Sequence, residues 1–153
     1  MTEAEDLLVA DDGPFATGSA SYLDAHPELV EPLARIYVEF LPQGSELAFL
    51  ALLDTGGHYC ILSRAVVDLI GDHLTDHLGP ADLRTAHGVV AGELYKHGIT
   101  LIAKRGRPLE IDATVFVSAD WQGPCFLGYA GVLERLRFAV DPYANRFFFG
   151  PLP

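Results

Sequence analysis

The chain has 153 residues, enough for one domain of ordinary size. Half of them are hydrophobic and a fifth are charged, so it can bury a core and is not a disordered chain. A net charge of −11 argues against a nucleic-acid binder, which needs a basic face, and against an anionic membrane surface.

Eight of the 21 acids lie in residues 1–34, which hold no Lys or Arg. We read 1–34 as an acidic N-terminal arm, partly flexible, and 35–153 as the folded domain. Within the arm, Leu23, Leu29, Val30 and Leu33 could pack on the body as a short helical turn or an irregular strap. Ile36, Val38 and Phe40 alternate with Arg35, Tyr37 and Glu39, the period of a half-buried strand. Pro42 to Ser45 is a turn by composition. Leu47 to Leu53, seven residues and the longest apolar run, reads as a strand buried on both faces. It is too short to cross a bilayer. It ends at Asp54-Thr55-Gly56-Gly57.

Tyr59 to Leu62 reads as a short strand. Ser63 is a helix N-cap, with Val66, Val67 and Ile70 on one face and Gly71 as the stop. Residues 72–82 read as a polar connection and Leu83 to Gly98, with three glycines, as a mobile hairpin. Ile99 to Ala103 is a strand. From Leu109 to Ser118 the alternation is strict, with Leu109, Ile111, Ala113, Val115 and Val117 on one side. After a loop at Trp121 to Pro124 comes Cys125-Phe126-Leu127-Gly128, a buried strand ending in glycine. Gly131 to Leu136 suits a short helix, and Phe138 to Phe149 a last hairpin. Many short strands and few helices predict an all-β fold, a small closed barrel.

A lone Asp-Thr-Gly is common in turns; its setting carries the information. It follows LAFLALL and precedes a strand and a helix. Some seventy residues on, Phe126-Leu127-Gly128 is again followed by a short helix and a hairpin. This order over residues 35–150 resembles the retropepsin-like aspartic proteases, single-domain relatives of pepsin. The resemblance implies a homodimeric aspartic endopeptidase, a hydrolase, with Asp54 as the catalytic aspartate. Thr55 would join the hydrogen bonds that grip the two subunits, and Gly56 would allow a tight backbone approach. Gly57 completes the active-site loop, where the family usually has Ala or Ser. Phe126, Leu127 and Gly128 would form the second leg of a ψ-shaped loop. The flap over the substrate would be the hairpin around His87, Gly88, Val89 and Val90, with His87 and His97 as surface residues. Tyr129 stands where many viral members carry Arg, and His58 where its acidic partner would be, so that ion pair cannot form.

Peptide hydrolysis by this route needs two carboxylates sharing a proton and a water, because two carboxyls about 3 Å apart cannot both ionise. With one Asp-Thr-Gly per chain, the second must come from another copy. The chain ends would pair across that interface and cover the Phe147–Phe149 edge. The expected partners are a peptide or protein substrate and a second copy of the chain, with no nucleic acid and no membrane. No cofactor and no metal are expected. His73 and His77 would form a metal face only if helical, and His58 with Cys60 would share a face only in a strand. The resemblance puts Cys60 and Cys125 on the two crossing strands, where buried free thiols suit a cytoplasmic protein and a disulfide is the alternative. The composition is compatible with a bacterial source. The acidic arm is a candidate pro-segment. Two other functions fit: a catalytically silent retropepsin-like binding or dimerisation module, and an unrelated small β-barrel that binds a ligand.

Overall fold

The computed structural model describes residues 9–10, 13–25, 27–28 and 36–153. The acidic run before Val9, the strap of Leu29, Val30 and Leu33, and the expected start of the domain at Arg35 lie outside the described residues. In chain order, β1 (Val9–Ala10) and β2 (Gly13–Pro14) pair with each other, and β3 (Gly18–Ser21) follows. Then come β4 (Tyr37–Pro42), β5 (Phe49–His58), β6 (Cys60–Ile61) and helix α1 (Arg64–Ile70). The long hairpin is β7 (Asp76–Thr85) and β8 (Gly88–Leu101). It is followed by β9 (Arg105–Gly106), β10 (Leu109–Val117), β11 (Cys125–Ala130), β12 (Leu136–Asp141) and β13 (Arg146–Pro151).

Seven strands form one sheet in the order β10-β6-β11-β5-β4-β8-β7, and β10 also pairs with β8. That extra pairing closes six of them into a barrel and leaves β7 hanging on β8. The all-β expectation therefore holds, with one short α-helix. The barrel interior and the helix share one core, in which Phe40, Val66, Ile70, Leu101, Val115 and Leu127 are fully buried. A second sheet, β12-β13-β3-β9, lies against it and contributes Phe147 and Phe149. Gly18–Ser21, inside the acidic segment, is thus a strand of the body, running antiparallel to Arg146–Phe149.

Several local expectations change. Leu47 is 62% exposed, because Ser45 closes a turn onto the Leu47 backbone; the buried strand starts at Phe49. Residues 76–82 of the expected connection are strand and lengthen the expected hairpin, whose first arm is Asp76–Thr85. They pair along β8, with a register shift between His77 and Gly79, where Gly79 adopts φ +131°. As an edge strand, β7 accommodates a bulge and Pro80 that a central strand would reject. β10 buries Phe116 as well as Ile111, Ala113 and Val115, and Ser118 just beyond it is buried too, so the alternation ends where both faces become covered. The 131–136 helix shrinks to a 3-10 turn at Leu133–Arg135, entered through Gly131 at φ +90°. The Phe147–Phe149 edge is covered within the chain, by β12 on one side and β3 on the other.

Candidate functional site

Asp54 is the sixth of the ten residues of β5, where the strand's apolar half leaves the core. Leu52 is buried, Leu53 and Asp54 are half-buried, and Thr55 and Gly56 are exposed. β5 runs parallel to β11, with Leu53 opposite Leu127 and Asp54 opposite Gly128. β6, only two residues beyond β5, pairs with the other side of β11 in the antiparallel sense, Cys60 opposite Leu127. The chain therefore leaves β5, passes over β11 and returns on its far side. This is a ψ-shaped crossing, with Asp54 on one leg and Phe126, Leu127 and Gly128 on the other.

The crossing requires close backbone approach. A Cβ on Gly128 would lie 2.5 Å from the Tyr59 carbonyl oxygen, 2.8 Å from the His58 carbonyl carbon and 3.0 Å from that of Gly57. The Gly128 N–H donates to the Tyr59 carbonyl at 2.8 Å, and the Tyr59 N–H donates to the Ala130 carbonyl at 2.6 Å. Tyr59 itself sits at φ 65°, a left-handed conformation that costs a side-chain-bearing residue about 1–3 kcal/mol. Its backbone is clamped by β11 on both sides, which is what holds it there. No residue-type signal marks Tyr59 for this role; it is found only by the fold.

The Asp54 carboxylate is fixed by the two glycines that follow. The Gly56 N–H donates to Oδ1 at 3.1 Å. The other oxygen, Oδ2, lies on the bare face of Gly57, where a Cβ would stand 2.6 Å away. Neither glycine has a positive φ. Gly57 is therefore needed here for space and not for backbone freedom. Tyr129, 50% exposed, and exposed His58 complete the rim next to Thr55 and Gly56.

Around this centre, Phe126 is half-buried and packs edge-on against the Trp121 ring, centroids 5.7 Å apart. The Trp121 Nε1–H donates to the Pro124 carbonyl at 3.0 Å, which folds the indole over its own turn. The Ser118 hydroxyl, at the start of that loop, donates to the Ala91 carbonyl of β8 at 2.6 Å. The loop thus ties the β7–β8 hairpin to the leg that carries Phe126. The hairpin turns at Ala86-His87, closed by the Thr85 hydroxyl donating to the Gly88 carbonyl at 2.9 Å. His87 is exposed at the tip, and Gly88, Val89 and Val90 begin the returning strand.

The remaining candidates separate. His97 is not a surface residue: it is 5% exposed, and its Nε2 lies 2.8 Å from the Gln43 carbonyl. His73 is in a 3-10 turn and His77 in β7, where it pairs with Glu93 at 2.6 Å, so they share no helical face. The left-handed Tyr59 likewise turns exposed His58 away from buried Cys60. No cluster of three or more metal-binding side chains occurs among the described residues. Cys60 and Cys125 are buried and free. Burial pushes both thiols up, Cys60 further, with Cys125 nearby adding to it. For Cys125 the Ser63 side chain, and after it the Ser63 N–H 3.3 Å from the sulfur, work in the opposite direction.

A closed barrel whose Asp-Thr-Gly strand and Gly-ended strand interlock in a ψ crossing is the retropepsin-like fold. Over 88% of its length the chain superposes on a crystal structure of a retropepsin-like aspartic protease from Rickettsia conorii, covering 90% of that chain, with a TM-score of 0.50 and 15% sequence identity. No protein-family model and no curated protein sequence matches the chain. Among the described residues no helix is long and apolar enough to cross a membrane.

Proposed function

We propose that this chain is an aspartic endopeptidase active as a homodimer, with one Asp54 from each subunit. The observation that carries the reading is the placement of Asp54: half-buried at the ψ crossing, opposite Gly128, with one carboxylate oxygen held by the Gly56 N–H. In the proposed reaction one carboxylate of the pair takes a proton from water. The other, protonated, donates to the carbonyl oxygen of the scissile peptide. The proton then passes to the leaving amine as the tetrahedral intermediate collapses. The pair titrates as a unit. The chemistry needs no metal or cofactor, since the carboxylates move every proton.

In this reading Thr55 and Gly57 belong to the loop that grips the second copy and shapes the site. The tip at His87 to Val90 closes over an extended peptide. An extended strand alternates its side chains, so apolar residues would enter the cleft on one face. A cytoplasmic site of action is part of the proposal, supported by two buried thiols that are not joined. The second reading, a silent binding or dimerisation module, is favoured by two specific features of the rim, Gly57 and Tyr129.

The test is incubation of the protein with a mixed peptide library between about pH 3.5 and 7.5, a range that brackets a carboxyl dyad. Mass spectrometry reads the cuts, and Asp54→Asn runs in parallel. Cleavage by the wild type alone supports the endopeptidase. Absence of cleavage by a dimeric wild type supports the silent module.

A further inference from the structure

The body of the protein holds the long hairpin only part of the way out. β8 pairs with β10 from Leu101 opposite Leu109 to Glu93 opposite Val117, where β10 ends. Beyond that, residues 88–92 of β8 pair with β7. Two contacts extend the hold past the last β10 pair. Gly92 lies so close to the end of β10 that a Cβ on it would stand 2.5 Å from the Val117 carbonyl oxygen and 2.6 Å from the Phe116 ring. One residue further out, the Ala91 carbonyl accepts the Ser118 hydroxyl at 2.6 Å. Past Ala91 and its partner Asp82, the pairing is internal to the hairpin, Leu83 to Thr85 against Gly88 to Val90, closed by the Thr85 hydroxyl.

Ser118 makes this last contact with both functions of its hydroxyl. It is a buried polar side chain, 8% exposed. A hydroxyl has one proton to give and lone pairs to receive. Ser118 gives its proton to Ala91 and receives the Asp120 N–H at 3.1 Å. The Trp121 N–H donates to the Ser118 carbonyl at 3.4 Å and closes the turn. One oxygen atom is thus shared by the hairpin and by the turn that carries Trp121. An alanine here would leave the Ala91 carbonyl without its donor and remove the acceptor inside the turn.

We infer that Ser118 is a positioning residue for the hairpin. It fixes the point at which the hairpin leaves the body and makes that point one unit with the Trp121 turn. Residues 83–90 are then the part free to close. Their closing over a peptide rests on the endopeptidase reading above; the anchoring by Ser118 does not.

The experiment is native-state nicking by trypsin after Arg84, which is exposed in the free part of β7. Nicking after Arg105, in β9 of the other sheet, is the internal reference, and mass spectrometry separates the two. Acrylamide quenching of Trp121 fluorescence reads the turn on the same samples. Ser118→Ala should nick after Arg84 about two- to tenfold faster than the wild type, the effect of one lost hydrogen bond on the open population. The rate after Arg105 should hold, and Trp121 should quench more readily. Thr85→Ala removes a bond outside the anchor, so it should speed nicking after Arg84 and leave Trp121 quenching at the wild-type level. The inference is overturned if Ser118→Ala nicks after Arg84 at the wild-type rate, if nicking after Arg105 rises in step, or if Trp121 quenching does not change. It is overturned too if Thr85→Ala raises Trp121 quenching as much as Ser118→Ala does. These readouts need no substrate. A protein that behaves as expected here yet cuts no peptide refutes the endopeptidase and leaves the role of Ser118 standing.

Discussion

Gly128→Ala is the sharpest probe of the ψ crossing. The added methyl would meet three backbone atoms of the 57–59 segment between 2.5 and 3.0 Å, and no flexible side chain is there to yield. Gly128 has no positive φ, so the whole cost is steric. Overpacking of this kind costs about 1–3 kcal/mol. Pushing β11 from Tyr59 also weakens the 2.8 Å bond from the Gly128 N–H to the Tyr59 carbonyl, worth about 0.5–1.5 kcal/mol. Together the loss is about 2–4 kcal/mol, a large share of the roughly 5–15 kcal/mol that holds a domain folded. In a chain of this length it lowers Tm by about 4–16 °C. Urea unfolding followed by Trp121 fluorescence measures it, since Trp121 is the single tryptophan and sits on the Phe126 leg. A midpoint shift equivalent to less than about 0.5 kcal/mol, the scatter of an ordinary surface change, would refute the packing argument.

The site makes two further predictions of different kinds. Gly57→Ala puts a methyl 2.6 Å from Asp54 Oδ2, the end of a side chain that can rotate, so stability changes by less than about 1 kcal/mol while the carboxylate is displaced. Peptide cleavage should then fall in kcat with KM nearly unchanged; a normal kcat would show that the carboxylate orientation is not held by this glycine. The two cysteines are buried with their thiols pushed up, so at pH 8 both stay protonated and neither reacts with Ellman's reagent in the native state. Both react once urea has unfolded the chain, and rapid native labelling would contradict the burial.

The parts of the fold readable from sequence are those where burial is two-sided and the break is chemical. Phe49 to Leu53 and Cys125 to Leu127 are apolar runs cut off by Asp54 and by Gly128. These residues end an apolar run for reasons that do not depend on its neighbours, while pairing carries the strands themselves on to His58 and Ala130. β7 was hidden because its reasons are external. Gly79 and Pro80 argue against a strand, and only the ten-residue pairing with β8 makes one. β3 is the stronger case. Gly-Ser-Ala-Ser has no strand propensity, yet β13 on one side and β9 on the other impose the conformation. Gly18 fits only because it lacks a Cβ, which would strike the Arg107 carbonyl. At the site, Asp54 and Gly128 announce themselves by residue type. The clamp on Tyr59 does not, since it is made of main-chain atoms that any residue carries.

The union of β3 with β13 also sets a schedule for the nascent chain. Ser21 pairs with Arg146, so the earlier strand leaves the ribosome about 125 residues before its mate. At about 5–20 residues per second that is a wait of roughly 6–25 s. Throughout it the later barrel strands appear while the second sheet has no centre. Closing so long a loop places this domain among the slow-folding β topologies. Phe147 and Phe149, which sit in the shared core, arrive last. The protein cannot finish its interior until its final hairpin is made, so a chain interrupted before residue 146 would present an open apolar wall to the cell's chaperones.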